Sequence, residues 1–227
     1  GASWGGTFDG ATSLKSVTFQ EGIKKIPDHI CWARNYSSYI NNVNMPDSVT
    51  EIGVSAFEKC KSLKGTKLSA SLTEIDSSAF RESGLVSIDI PKTIINIGES
   101  SFKSCASLQS VTMNYNDSIV ESSTEGAYRY KCTIWYNAFE EDTSLTNVKL
   151  SENVEKIESY AFGRCSALAS LTLPERVTRL GVEIIGGTAI SSITVPKNVT
   201  NCGASWGGTF DGATSLKSVT FQEGIKK

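Results

Sequence analysis

The only histidine of the chain, His29, stands in the segment IPDHICW, beside Asp28 and two residues before Cys31. A nucleophilic mechanism of the Ser-His-Asp or Cys-His type would have to use this histidine as its general base. Such a mechanism needs a nucleophile, a base and an orienting acid in mutual contact, and neighbours in sequence do not supply that geometry. We therefore interpret His29 as a structural or surface residue and predict a non-catalytic protein.

The acidic segment NYNDSIVESSTEGAYRY at 114–130 is a second candidate for chemistry, because it carries Asp117, Glu121 and Glu125. Hard cations prefer oxygen ligands of this kind. The segment lacks the D-x-[DN]-x-[DN]-G spacing with which a calcium loop wraps its ion. No two cysteines have the C-x-x-C spacing of a structural zinc site. We interpret the segment as a solvated acidic loop and expect neither a metal nor a cofactor.

Three cysteines stand three residues after a phenylalanine: Cys60, Cys105 and Cys165. Ser83 takes the same place in another segment. Free cysteine is among the most buried residue types, so a column of small buried side chains explains this spacing better than disulfides do. We predict reduced structural thiols here and a core position for Cys202, whereas the state of Cys31 and Cys132 stays open.

The elements that position these residues form a repeat. Two units are VTEIGVSAFEKCKSLKGTKLSAS at 49–71 and VEKIESYAFGRCSALASLTLPER at 154–176, and their shared pattern is V-x-x-I-G-x-x-A-F-x-x-C-x-S-L-x-x-V-x-L-P. The central residues of its L-x-x-V-x-L part are Val17, Val43, Thr66, Ile88, Val111, Val148, Leu171, Ile193 and Val219. A leucine pattern at this period indicates stacked repeats, because each unit is too small to bury its own apolar face.

Each V-x-L stretch alternates with period two, as a half-buried strand does. In SVTF at 16–19, Val17 and Phe19 are expected to point inward, and Ser16 and Thr18 outward. The A-F-x-x-C stretch is expected to turn on the opposite face, where five phenylalanines stack: Phe57, Phe80, Phe102, Phe139 and Phe162. The sequence therefore predicts an α/β repeat solenoid of leucine-rich repeats. It has a parallel β-sheet on the concave face and short turns or helical pieces on the convex face.

Residues 1–227 are predicted to form a single leucine-rich repeat domain of about nine repeats of 22–26 residues, with a 14-residue insertion near 114–130. Residues 1–25 and 203–227 are identical in sequence. Two explanations stay open: the chain is a segment of a longer array with a 202-residue period, or one sequence was placed at both ends. Either way, matching ends predict end-to-end self-association of the chain.

The segments IGVSAFEKCKSL, IGESSFKSCASL and IESYAFGRCSAL closely resemble the BspA-like class of leucine-rich repeats. The resemblance covers nearly the whole chain and is poorer at 26–46 and 114–133. It implies a secreted or cell-surface protein of host-associated bacteria or some protozoa. It also implies an adhesin-like function, with host extracellular matrix proteins or other microbial surface proteins as partners. The family has no shared catalytic site, so the resemblance assigns no catalytic residue.

Charge and hydropathy restrict the classes of partner that this chain is expected to bind. The net charge is −2 and the isoelectric point is about 5.6, whereas a nucleic-acid-binding domain more often carries a basic patch. No apolar run approaches the roughly 20 residues that span a bilayer. We therefore predict protein partners rather than nucleic acid, and no insertion into a membrane.

Two surfaces are candidates for binding. The outward strand positions are the first: Thr18, Asn44, Lys67, Asp89, Thr112, Lys149, Thr172 and Thr194. Solenoids commonly bind partners on such a face, although a plain polar coat would have the same composition. The insertion is the second, with Tyr115, Asp117, Glu121, Tyr128 and Tyr130, because tyrosine is enriched at interfaces and long loops often carry function. A binding module and a structural spacer without a ligand both remain open.

Four tryptophans complete the set of candidate residues: Trp4, Trp32, Trp135 and Trp206. All are expected on the convex side. Large aromatic residues are usually buried, so packing within the irregular turns is favoured over exposed anchors.

Overall fold

The computed structural model describes residues 6–8, 10–32, 39–114 and 131–224. These residues form a solenoid with two columns of short parallel strands, one on each of two faces. No helix occurs among them. The predicted parallel-sheet repeat fold is confirmed. Of the two alternatives predicted for the convex face, short turns or helical pieces, the described chain has turns.

The first strand face is built from the V-x-L stretches of the repeat. Its strands are β1 (Ser16–Thr18), β3 (Asn42–Asn44), β6 (Ser87–Ile90), β8 (Ser110–Met113), β10 (Asn147–Lys149), β13 (Ser192–Val195) and β15 (Ser218–Phe221). They pair in parallel and in register, with Val17 beside Val43 and Ile88 beside Val111. No strand forms at 65–68 or 170–173, so the face consists of three separate sheets.

The second strand face comes from the V-x-x-I part of the repeat, for which no strand was predicted. Its strands are β2 (Lys25–Ile26), β4 (Glu51–Ile52), β5 (Glu74–Ile75), β7 (Asn96–Ile97), β9 (Cys132–Ile134), β11 (Val154–Ile157), β12 (Arg179–Leu180) and β14 (Asn201–Cys202). They form one parallel eight-stranded sheet. Most strands are only two residues long, too short for an alternation that sequence periodicity can detect.

Left-handed backbone conformations explain why the A-F-x-x-C stretch is not a helix. Each such stretch contains two residues with positive φ, four positions apart, as at Ser55 (51°) and Lys59 (61°). Such residues interrupt the right-handed helical path. The amides bond to the neighbouring turn instead, as when the Phe57 N–H donates to the carbonyl of Ala79 at 2.7 Å. The A-F-x-x-C stretches are therefore linked to one another by backbone hydrogen bonds between neighbouring turns, although they form no strands.

The predicted aromatic column is confirmed. The five phenylalanines of the repeat are fully buried, and successive ring centroids lie 5.1–5.3 Å apart. The interplanar angle falls from 20° between Phe57 and Phe80 to 1° between Phe139 and Phe162. Parallel turns hold like residues directly above one another, so the column follows from in-register stacking of the repeats.

All six cysteines are reduced thiols, and five are buried. Cys105 donates its S–H to the carbonyl of Phe80 at 3.0 Å, and Cys165 does the same to Phe139 at 3.0 Å. Burial raises the pKa of both thiols. The prediction for Cys202 is wrong: it lies on β14, the outermost strand of its sheet among the described residues, and is exposed.

Asp142 occupies the cysteine position of its own repeat and is fully buried. Its Oδ1 accepts a hydrogen bond from the backbone N–H of Cys105 at 2.8 Å, whereas Oδ2 has no partner. Burial raises the pKa of this carboxyl well above its ordinary value. Burial thus favours the neutral acid more strongly in the folded chain than in the unfolded chain, because a buried carboxylate without full pairing is costly.

Replacing Asp142 with asparagine is expected to raise stability increasingly with pH. The folded carboxyl keeps its proton to a higher pH than the unfolded one, so the wild type loses stability as pH rises from the ordinary Asp pKa towards the raised value. The asparagine side chain keeps an acceptor for the Cys105 N–H and does not titrate. Thermal unfolding at pH 4 and pH 8 measures the effect, with the exposed Asp89→Asn variant as control. Equal stability of wild type and Asp142→Asn at pH 8 would contradict this interpretation.

Candidate functional site

The outward positions of the first strand face form a polar row along the solenoid, which we call the outward ladder; its strand pairing is interrupted at Lys67 and Thr172. Its members are Thr18, Asn44, Lys67, Asp89, Thr112, Lys149, Thr172 and Thr194. All are exposed except Thr112, which is half-buried. The predicted orientation is therefore confirmed for every member.

Strand register brings these side chains together across neighbouring turns. Thr112 lies between Asp89 on β6 and Lys149 on β10. At the N-terminal end, the Asn44 side-chain amide donates to Thr18 Oγ1 at 3.1 Å, and the Asn42 amide donates to Ser16 Oγ at 3.2 Å. The ladder thus offers hydroxyls, amides and single charges of both signs, which suits hydrogen bonding to a polar protein surface.

The insertion residues Tyr115, Asp117, Glu121, Tyr128 and Tyr130 lie outside the described residues. Their binding role stays a prediction. The described chain resumes at Lys131, whose ammonium pairs with Glu155 of the following strand at 2.6 Å.

His29 is not placed in a catalytic arrangement. It is exposed, has a positive φ of 55°, and its ring lies 5.8 Å from that of Trp32. Cys31, two residues on, is buried in the core. Its N–H donates to the carbonyl of Ala56, just as the Phe57 N–H donates to the carbonyl of Ala79, so Cys31 occupies the position of the column phenylalanine in its own repeat. The described parts of the chain contain no group of three His, Cys, Asp or Glu residues that could hold a metal ion. Nor do they contain a helix long and apolar enough to cross a membrane.

The second strand face carries a charged network that sequence reasoning missed. The Lys25 ammonium contacts Glu51, and it lies 3.2 Å from Asp28 and 3.6 Å from Asp76. Desolvation and the neighbouring carboxylates raise the pKa values of Glu74 and Asp76. The repeated Glu-Ile dipeptide in the sequence could have predicted this network. It places Glu51 and Glu74 side by side on adjacent parallel strands, where the charge of Lys25 partly compensates them.

The expectation that the tryptophans pack within the turns is wrong for two of them. Trp135 and Trp206 are 40% and 61% exposed, and Tyr136 beside Trp135 is exposed as well. Trp135 donates its indole N–H to Asn96 Oδ1 at 3.3 Å, and Trp206 stacks on Tyr160 with 6.2 Å between ring centroids. Trp32 is half-buried and Trp4 lies outside the described residues. Exposed aromatic side chains are typical anchors of protein interfaces.

Comparison with known proteins identifies the same repeat. The sequence model of the BspA type leucine-rich repeat region matches residues 33–134 and 132–227, in six copies. A comparison with curated protein sequences finds no match.

Solved structures share the fold. The chain is similar to a leucine-rich repeat protein from Bacteroides ovatus, with 22% identity and a TM-score of 0.67 over 98% of this chain and 64% of that one. It is also similar to a leucine-rich cell surface protein from Faecalibacterium prausnitzii, with 22% identity and a TM-score of 0.50 over 95% of this chain and 62% of that one. The chain therefore spans less than two thirds of the length of either protein.

A third similar structure is the leucine-rich repeat protein of T. pallidum, with 24% identity and a TM-score of 0.53 over 72% of this chain and 70% of that one. At these identities the likeness shows the fold alone. The family match covers most of the chain. The chain belongs to the BspA type of leucine-rich repeat proteins.

Proposed function

We propose that the chain is a non-catalytic protein-binding module of a secreted or cell-surface protein, with an adhesin-like function. Its partners would be host extracellular matrix proteins or other microbial surface proteins. The observation that carries the proposal is the outward ladder, which exposes a row of polar side chains along the solenoid, six of the eight on in-register parallel strands. A rigid extended surface of this kind is how repeat proteins engage partners.

Two further observations support this proposal. The chain belongs to the BspA type of repeat, and the similar protein of F. prausnitzii is described as a cell surface protein. Trp135, Tyr136 and Trp206 lie next to the second strand face and are exposed, so they offer a separate set of anchoring side chains.

A binding panel tests the proposal. The folded chain is immobilised and probed with fibronectin, fibrinogen, laminin, collagen and intact bacterial cells, and a heat-denatured sample measures nonspecific adsorption. We expect saturable binding to at least one panel member by the folded chain only. If the folded chain binds no panel member saturably, the second candidate is favoured, a structural spacer. The polar outward ladder, with its small net charge, also suits a spacer.

End-to-end self-association through the identical segments 1–25 and 203–227 stays a prediction. β1 of the first segment pairs with β3, which follows it, and β15 of the second pairs with β13, which precedes it. One sequence therefore accommodates a neighbouring strand on either of its two edges.

A further inference from the structure

Tyr160 and Trp206 form an aromatic pair at the surface, which we call the aromatic shelf. Their rings lie 6.2 Å apart at an interplanar angle of 25°, and Trp206 is 61% exposed. The two residues belong to turns of the solenoid that are 46 positions apart in sequence. An exposed tryptophan held against a second aromatic ring is unusual, because burial of such a side chain normally contributes strongly to stability.

The loop that carries Trp206 is ordered by its own contacts. Ala204 and Gly207 exchange two backbone hydrogen bonds, of 2.9 and 3.2 Å, on either side of the tryptophan. A Cβ at Gly207 would lie only 2.7 Å from Val182 Cγ1, so glycine lets the loop press against the preceding turn. The indole is therefore presented in a fixed position, which lowers the entropy that binding must overcome.

Two carboxylates lie close to the loop that carries Trp206. Asp211 Oδ2 would be 3.4 Å from a Cβ at Gly207, the residue after Trp206. Asp211 is exposed, and its Oδ2 accepts the Gly208 N–H at 2.8 Å within the same loop. Glu183 is half-buried on the intervening turn, and its Oε2 would lie 3.1 Å from a Cβ at Gly212. Arg164 is the nearby cation. Its guanidinium forms ion pairs with Glu141 at 3.0 Å and Glu140 at 3.5 Å, and its interaction with Glu183 is a weaker electrostatic one.

We propose that the aromatic shelf with Glu183 and Asp211 binds a basic segment of a protein partner. An arginine or lysine side chain of that segment stacks on the exposed face of Trp206 and pairs with the two carboxylates. The faces of aromatic rings attract cations, and indole is the strongest of them. The chain already contains one such contact, with Lys15 Nζ 4.6 Å from the centre of the Tyr39 ring. This inference rests on the proposed protein-binding function and names the chemistry of the partner.

Hexa-arginine and hexa-lysine peptides with a fluorescent label serve as probes, with binding measured by fluorescence anisotropy at low ionic strength. We expect saturable binding that is roughly three- to tenfold weaker for Trp206→Ala, the range that loss of a cation–π contact gives. The pair Glu183→Gln with Asp211→Asn removes both charges and keeps the acceptor for the Gly208 N–H, and it should weaken binding at least as much.

Matched controls separate this site from general electrostatics. Glu21→Gln with Glu223→Gln removes two exposed carboxylates elsewhere, and Trp4→Ala removes the corresponding residue of the identical N-terminal segment; both should leave the affinity within about twofold. Equal losses in the control and test variants would overturn the proposal, and so would binding that Trp206→Ala leaves unchanged. Binding of a neutral oligosaccharide such as maltohexaose at Trp206, with no binding of either peptide, would also overturn it.

The peptide-binding test of the aromatic shelf and the binding panel can fail independently of each other. Peptide binding at Trp206 together with a negative panel would leave the shelf established and the adhesin-like function unsupported. A positive panel with no effect of Trp206→Ala on peptide binding would reject the shelf alone.

Discussion

Replacing Phe102 with alanine is expected to lower the free energy of unfolding by about 3–5 kcal/mol, the usual cost of emptying a buried phenylalanine site. Phe102 is the middle ring of the column and stacks on Phe80 at 5.3 Å and on Phe139 at 5.1 Å. The backbone on both sides is held in register by hydrogen bonds between turns, so the cavity cannot readily collapse. Urea unfolding followed by circular dichroism measures the change.

The control for this prediction is Phe221→Ala, because Phe221 is 59% exposed at the end of β15. Its loss should change stability by less than about 1 kcal/mol, as is usual for exposed positions. Similar losses in both variants would mean that the column does not stabilise the solenoid in the way described. A change in the urea dependence for Phe102→Ala would instead indicate that repeats on either side of the gap unfold separately.

Substituting Gly84 with alanine should also be strongly destabilising, by about 1–3 kcal/mol or more, the cost of overpacking a close contact. Gly84 is buried, and a Cβ there would lie 2.0 Å from the carbonyl oxygen of Lys61 on the preceding turn. The Gly84 N–H donates to the Cys60 carbonyl at 3.1 Å, so the two turns cannot separate without losing that bond. Thermal unfolding of the variant gives the measurement.

Gly65 provides a matched comparison for this prediction. It is exposed, and a Cβ there meets nothing within 4 Å. Gly65→Ala should therefore be neutral or stabilise slightly, since alanine restricts the unfolded chain more than glycine does. If Gly84→Ala is as stable as Gly65→Ala, the close approach of neighbouring turns at Gly84 is not a constraint on the fold.

The features that the sequence predicted well recur in several units. The phenylalanine column, the inward V-x-L residues and the thiols of Cys60, Cys105 and Cys165 follow from in-register stacking, because equivalent positions of parallel turns meet. The outward ladder was predictable for the same reason. Its orientation follows from the period of two in a strand and needs no knowledge of a partner.

The features that the sequence did not predict depend on a single unit or on contacts between units. The strands of the second face are too short to show a period, and the A-F-x-x-C turns contain left-handed residues such as Glu82 and Arg164 that no simple propensity favours. Trp206 is exposed because glycines let its loop fold against the preceding turn. Asp142 in the cysteine column could be read from the alignment of repeats, but its unpaired Oδ2 could not.

We propose that protein partners bind the first strand face through the outward ladder. The most direct test measures the affinity of a panel partner for a variant with Asn44, Lys67, Asp89 and Lys149 all replaced by alanine. A matched variant replaces Lys61, Lys92, Asn201 and Glu223, which are exposed residues of similar types outside the ladder. We predict that the ladder variant binds at least about tenfold more weakly, as loss of several interface residues usually does, while the matched variant stays within about twofold of wild type. Wild-type affinity in a folded ladder variant would contradict the account.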